Sequence, residues 1–202
     1  MKKKFLDFAI NAIHSQNPTY DDIKLAELRY GLEAMYLTVT KLIVIFVVAA
    51  ILGIFKEMVI MLLIYNILRT TGFGLHATKS WICLLSSTSV FIILPYVSTL
   101  FVIPISFKCV FAFLSAILVF LYAPADTKKR PLIHKKKRII YKILTTLNCI
   151  IFNIISIFIT NSTLSNLIIF GITAELIVIL PISYRLFKFS YNNYKTHKPI
   201  TG

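Results

Sequence analysis

The chain has 202 residues, 57% of them hydrophobic and 15% charged, with mean hydropathy +0.80 and a formal net charge of +14. So apolar a composition excludes an ordinary soluble domain. Runs such as LIVIFVVAAILGIF do not alternate, which excludes a transmembrane β-barrel. The class that remains is an all-α, polytopic membrane protein of single-domain length.

The first element, MKKKFLDFAINAIHSQ, mimics a secretory signal, but Asp7 breaks its apolar stretch and no small-residue cleavage site follows. Phe5, Leu6, Phe8, Ala9, Ala12 and Ile13 fall broadly on one helical side, with Asp7, Asn11 and His14 away from it. That pattern predicts an amphipathic helix lying in the membrane interface, within an interfacial region spanning roughly residues 1–32. A helical membrane bundle follows over roughly 33–187, and then a basic tail at 188–202. Six spans can be drawn in the bundle, at roughly 33–55, 57–73, 81–98, 100–123, 139–160 and 165–187. The second has only MVIMLLIYNIL as its apolar stretch, short enough for a re-entrant helix.

Charge placement orients the bundle. Residues 1–37 carry five basic and five acidic residues, whereas 124–142 carry eight basic residues against Asp126. The tail from Arg185 adds four more. Six spans put both termini, the 69–80 gap and the 124–142 loop on one face, and the positive-inside rule makes that face cytoplasmic. The basic clusters interrupt membrane spans and have no soluble fold beside them, so the expected partner is anionic lipid and not nucleic acid.

The 69–80 gap, RTTGFGLHATKS, followed by Cys83, gathers reactive residue types in an otherwise apolar region. A thiol is a strong nucleophile only as thiolate, and an imidazole can hold the proton it gives up. On a straight helix His76 and Cys83 would face the same way but stand about 10 Å apart, beyond the roughly 3 Å of hydrogen-bond reach. Direct catalysis therefore requires a bend. Gly72 and Gly74 permit one just before His76, and ATKS can form the turn that opens a helix near Ser80. Cys83 then sits in the first turn of that helix, where the dipole favours a thiolate. Cys109 and Cys149 read as small apolar fillers; three distant cysteines give neither a disulfide framework nor metal-ligand spacing, and no cofactor is expected.

The pattern R-x4-G-x-H-x6-C on Arg69, Gly74, His76 and Cys83 resembles the signature of the accessory gene regulator protein B (AgrB) family. APADTKKRP at 123–131 resembles a second segment of that family, opening a basic loop after the fourth span. The resemblance implies a membrane-embedded cysteine endopeptidase of Gram-positive quorum sensing, acting on a small amphipathic precursor peptide, AgrD, with an acidic C-terminal tail. It implies His76 as general base and Cys83 as nucleophile, an acyl-thioester intermediate, and ring closure to a thiolactone or lactone. Arg69 becomes a residue that orients the precursor or neighbours the thiolate, with Gly72 and Gly74 as backbone supports. Lys128, Lys129, Arg130, Lys135, Lys136, Lys137 and Arg138 become candidates for binding the acidic tail. A homodimer is expected from the small size of the bundle and from the family.

Other residues keep open readings. Asp126 could orient the imidazole or cap a turn after Pro124. Glu175 lies in the sixth span, where an ionisable group is a functional hypothesis by default; Lys41, Lys108 or a bound proton could neutralise it. Asn66, Asn148 and Asn153 read as interhelical hydrogen-bonding residues. The rival reading of the whole chain is a non-enzymatic peptide exporter or transporter subunit, which the short, glycine-interrupted second span favours.

Overall fold

The computed structural model describes residues 2–75, 80–127 and 131–195. Among them run α1 (Lys2–Gln16), α2 (Asp22–Ile51), α3 (Phe55–Gly72), α4 (Ser80–Ser98), α5 (Ile105–Tyr122), α6 (Lys135–Phe158), α7 (Ser162–Ile179) and α8 (Pro181–Leu186), with a 3-10 turn at Asn193–Lys195. One parallel bridge joins Phe73 and Ala125. The fold is all-α.

Five of these helices, α2, α4, α5, α6 and α7, are long and apolar enough to cross a membrane. The chain is a multi-pass membrane protein. The helix α3 is not among the five, because its 18 residues include Lys56, Glu57 and Arg69 and its apolar middle is short. It occupies the place of the second of the six expected spans.

Two boundaries differ most from the sequence reading. The first expected span, from residue 33, begins inside a helix that already runs from Asp22. Asp21 Oδ1 accepts the Lys24 N–H at 2.9 Å, so the helix starts at that cap, and nothing before Ile51 breaks it. The last expected span, to residue 187, stops at Ile179. Leu180 is extended (φ −67°, ψ 138°), and Pro181 opens the separate helix α8.

The chain forms two compact units, Met1–Val48 and Ala49–Gly202. In the first, α1 lies along the first half of α2. Lys2 pairs with Glu33 at 2.6 Å, Arg29 with Asp7 at 2.5 Å, and the Phe5 and Tyr36 rings stand 5.4 Å apart. The ion pairs are partly exposed, so the ring contact and the apolar face contribute more than the charges.

In the second unit α7 is the most buried of the candidate spans, with α3, α4, α5 and α6 packed on it. A Cβ on Gly171 would stand 2.8 Å from Ile64 Cγ2, so the missing side chain is what lets α3 approach α7. Three contacts fix their relative direction: Gly171 with Ile64, Glu175 with Gly72, and Val178 with Leu75. Positions rise together on both helices, so α3 and α7 are parallel and their C-terminal ends share a face.

The helix α6 is built inside out. Its buried residues are Thr145, Cys149, Asn153 and Ser156, while Ile143, Leu147, Ile151 and Ile154 are exposed. With lipid outside, apolar side chains lose nothing by facing outward, and polar ones gain by facing another helix. Asn153 Nδ2 donates to Ser115 Oγ of α5 at 3.0 Å, the interhelical role expected of it. Asn66 instead donates to Leu62 O within its own helix, because its side chain is exposed and its own backbone is the nearest acceptor. At the face away from the C-terminal ends of α3 and α7, Asn166 Nδ2 donates to Ser98 O at 3.0 Å and Phe101 O at 2.6 Å. That side chain ties the start of α7 to the end of α4 and the loop after it.

Asn166→Ala leaves both carbonyls without their donor in a buried site. It is expected to destabilise the second unit by about 1–2 kcal/mol, whereas Asn66→Ala, at an exposed side chain, is expected to be nearly neutral. Chemical unfolding of the two variants in detergent micelles, followed by far-UV circular dichroism, checks the contrast.

Candidate functional site

The site begins where α3 ends. A helix leaves its last four carbonyls without intrahelical partners, and in an apolar surrounding each must be satisfied. Gly72 is the last helical residue, and the chain then reverses through Phe73 (φ 60°) and Gly74 (φ 98°). Phe73 N–H returns to Arg69 O at 3.1 Å. The Arg69 side chain turns back over the same bend. Its Nη1 donates to Phe73 O, and its Nη2 donates to Leu75 O and, at 3.1 Å, to Gly74 O. One planar guanidinium thus caps three successive carbonyls.

The bend is pinned on two more sides. Gly74 N–H donates to Ala125 O at 2.7 Å, Ala125 N–H donates to Gly72 O at 2.9 Å, and Leu75 N–H donates to Val178 O at 2.9 Å. These bonds fasten the segment before His76 both to the loop after α5 and to the end of α7. The bend expected from Gly72 and Gly74 is present, and both glycines have a steric reason. A Cβ at Gly72 would fall on Glu175 Oε1. A Cβ at Gly74 would meet Arg69 Nη1 and lie 2.6 Å from Val178 O.

Glu175 is 1% exposed, and its Oε2 stands 3.9 Å from Arg69 Nη1. Neither carboxylate oxygen has a hydrogen-bond partner among the described residues. The cation beside Glu175 is therefore Arg69 and not the Lys108 considered from sequence, whose Nζ donates to Ser156 O at 3.4 Å. Sequence reasoning kept Arg69 and Glu175 apart because they are more than a hundred positions distant; the signal that could have joined them is that each is an ionisable residue in an apolar stretch.

Asp126 is 3% exposed and acts on backbone. Its Oδ1 accepts from Asn193 N–H at 2.9 Å, and its Oδ2 from Tyr194 N–H at 2.7 Å and from Leu132 N–H at 3.4 Å. Tyr184 Oη lies 3.2 Å from Ala125 O and 3.1 Å from Asp126 O, as a donor shared between them. Asp126 thus anchors the C-terminal segment to the loop after α5, a role wider than the turn cap considered from sequence. Tyr191, at the edge of this knot, is pushed up to about 12 by burial first and then by its neighbours Tyr122, Tyr194 and Asp126. Its hydroxyl stays protonated and donates to Tyr122 O at 3.4 Å. Tyr184, Tyr191 and Asn193 were all missed from sequence; nothing in a polar tail marks which residues fold back.

Cys83 is the fourth residue of α4 as described, Ser80–Ser98, and is half-buried. Tyr65, one turn before Arg69 on α3, has its ring 5.3 Å from that of Phe91 on α4. Cys149 is fully buried beside Ser115 and Asn153, and Cys109 is exposed on α5. His76, Lys128, Lys129 and Arg130 lie outside the described residues. Lys135, Lys136 and Lys137 are exposed at the start of α6, and the Arg138 guanidinium stacks 3.5 Å over the Tyr194 ring. Cations at a helix N-terminus oppose the helix dipole, so these four residues are not there to stabilise α6.

The sequence model described as Accessory gene regulator B matches residues 7–179 of this chain. A putative AgrB-like protein of Clostridium acetobutylicum is 31% identical over 175 residues, covering 86% of this chain and 83% of that protein. A putative AgrB-like protein of Listeria welshimeri is 33% identical over 180 residues, covering 88% and 87%. The accessory gene regulator protein B of Staphylococcus intermedius is 29% identical over 174 residues, covering 83% and 88%. No solved structure matches.

The two positive-φ glycines separate conformational strain from steric conflict. Gly53 (φ 70°) has open space where a Cβ would be, whereas Gly74 has a backbone carbonyl and a guanidinium there. Gly53→Ala is expected to destabilise by about 1–2 kcal/mol, and Gly74→Ala by clearly more, with the bend displaced. Thermal unfolding of both variants in one detergent tests the order; equal losses would mean that the bend is not sterically locked.

Proposed function

The chain belongs to the accessory gene regulator B family, which serves the agr quorum-sensing system, and from that premise we propose that it is a membrane-embedded cysteine endopeptidase acting as a single domain. Its substrate is an AgrD-like precursor peptide, amphipathic with an acidic C-terminal tail. Cys83 is the nucleophile and His76 its general base. The observation that carries this reading is the locked reversal at Gly72–Leu75, which delivers the chain to His76 immediately before α4 and its first-turn thiol. A straight helix from 76 to 83 would hold the two side chains about 10 Å apart, so this reading requires the chain to turn within that stretch as well.

The chemistry follows from the groups. His76 takes the Cys83 proton, and the helix dipole at the start of α4 favours the thiolate. The thiolate attacks a peptide carbonyl near the precursor's C-terminus. The acidic tail leaves with a proton from the imidazolium, and the remaining peptide stays as a thioester on Cys83. An internal thiol or hydroxyl of the precursor then displaces Cys83 and closes the ring. Exchange of one thioester for another is nearly balanced, so the site has to exclude water more than it has to supply driving force. Backbone amides near Cys83 are the first candidates for stabilising the oxyanion.

On this reading the site faces the cytoplasm together with both termini, where the positive-inside rule puts the basic loop. Lys128, Lys129, Arg130, Lys135, Lys136, Lys137 and Arg138 attract the acidic tail. The exposure of Lys135–Lys137 at a helix N-terminus, where charge alone disfavours them, supports this. Two protomers, each burying a peptide that one small bundle cannot enclose, make the working unit a homodimer.

Incubating the reconstituted protein with precursor is expected to give a thioester adduct on Cys83 that hydroxylamine removes, seen by intact mass. Cys83→Ala and His76→Ala are expected to abolish both adduct and cleavage while still inserting in the membrane. Normal cleavage by either variant sinks the assignment. Replacing Lys135, Lys136 and Lys137 together by Gln is expected to raise KM for the precursor, with kcat kept and the difference shrinking at high salt; an unchanged KM would leave those lysines to topology alone.

A further inference from the structure

Arg69 and Glu175 form one unit with the Gly72–Leu75 reversal, and no step of the proposed chemistry gives either side chain a role. Arg69 Nη1 and Nη2 donate to the carbonyls of Phe73, Gly74 and Leu75, and Glu175 Oε2 stands 3.9 Å from Nη1. Glu175 is 1% exposed, the Arg69 side chain 12%, and neither carboxylate oxygen has another hydrogen-bonding partner among the described residues. Across the interface α3 has a glycine, Gly72, where any side chain would strike Glu175 Oε1. A buried carboxylate with no donor of its own is expensive. It is set where it can do one thing, which is to hold the guanidinium that holds the turn.

We propose that Glu175 is a positioning residue for the peptidase reaction: as the buried counter-ion of Arg69 it fixes the guanidinium over the three carbonyls of the reversal, and so fixes the segment that carries His76 to Cys83. The inference rests on the peptidase reading for its catalytic consequence, and on the Arg69 geometry alone for its structural one. Without the negative charge, Arg69 is a solitary cation in an apolar interior and turns out toward the basic face. The carbonyls of Phe73, Gly74 and Leu75 then lose their common donor, and the bend loosens on the side that the Ala125 and Val178 bonds do not hold. The thiolate and the basic imidazole remain chemically intact; what is lost is their relative placement. Misplacement of reacting groups by about 1 Å lowers turnover on the order of 100-fold.

The test uses the full chain in liposomes with the precursor peptide. Glu175→Gln keeps the shape and removes the charge. It is expected to lower kcat on the order of 100-fold with KM for the precursor unchanged, while Glu175→Asp, which retains the charge, recovers most of the rate. The double variant Arg69→Gln, Glu175→Gln is expected to be no slower than Arg69→Gln alone, because Glu175 acts only through Arg69. Amide hydrogen exchange supplies a readout that does not depend on catalysis. Exchange at Gly74 and Leu75 is expected to quicken in Glu175→Gln and in Arg69→Gln, with the amides of α5 and α6 still protected. A Glu175→Gln protein with wild-type kcat and slow exchange at Gly74 and Leu75 overturns the proposal. So do losses from the two single changes that multiply in the double variant, or loss of protection throughout α5 and α6. If Cys83→Ala cleaves as well as wild type, the peptidase reading is the one that falls, and the exchange of Gly74 and Leu75 still decides whether Glu175 holds the turn.

Discussion

A chain that reverses inside an apolar environment must find donors for the carbonyls of the turn, and just after α3 that constraint is met by one side chain. Arg69 folds back over the reversal and serves Phe73, Gly74 and Leu75 at once. A lysine could not reach three carbonyls in one plane. The arrangement imposes its own requirements on the surroundings. A guanidinium this far from water needs a counter-charge, which is Glu175. Glu175 in turn needs space on the facing helix, which is why residue 72 has no side chain. The close approach of α3 to α7, begun at Gly171 and continued at Gly72, is thus set by sterics at one contact and by electrostatics at the other.

Around that unit the ends of several elements converge. The reversal after α3 exchanges backbone hydrogen bonds with Ala125, and the next residue, Asp126, accepts amides from Asn193 and Tyr194 of the C-terminal segment. Tyr184 bridges the same two residues from α8. A displacement of any one segment is therefore felt by the others. On the proposed reading this matters for selectivity: the basic stretch that receives an acidic tail begins only a few residues from the loop that leads to the nucleophile. The bond to be cut and the tail to be released are then held by two segments tied together through the Gly72–Ala125–Gly74 hydrogen bonds.

The remainder of the second unit follows the reversed logic of a protein whose solvent is lipid. Ser115, Cys149, Asn153, Ser165 and Asn166 make polar contacts between its helices beside a buried apolar cluster that includes Ile64, Ile168, Ile172 and Ile179, while α6 turns its isoleucines outward. The polar contacts give modest stability but strong register, because each donor is matched to acceptors at particular positions on the facing segment. That division suits the molecule, with polar side chains locking the face distant from the site and a charged pair with a glycine hinge locking the near one.

Hydropathy determined the all-α membrane class and the weakly apolar character of the second stretch, and glycine spacing placed the reversal before His76, because these depend on residues next to one another in the chain. Helix ends at Asp22 and Leu180 were less legible, since hydropathy fades gradually while a cap or a proline acts at a single residue. Which charges and polar groups meet was decided only by tertiary structure. Glu175 had Lys41 and Lys108 as plausible partners by composition, and finds Arg69 because α3 and α7 run parallel with Gly72 between them. Asn66 and Asn166 look alike in sequence, yet one bonds its own helix and the other ties three segments together. Asp126 looked like a local turn residue and instead holds a segment more than sixty residues away. Local signals carry the transfer energy of each stretch into the membrane, whereas the partner of a buried polar group is set by which helix face lies opposite, and that is known only once the bundle has closed.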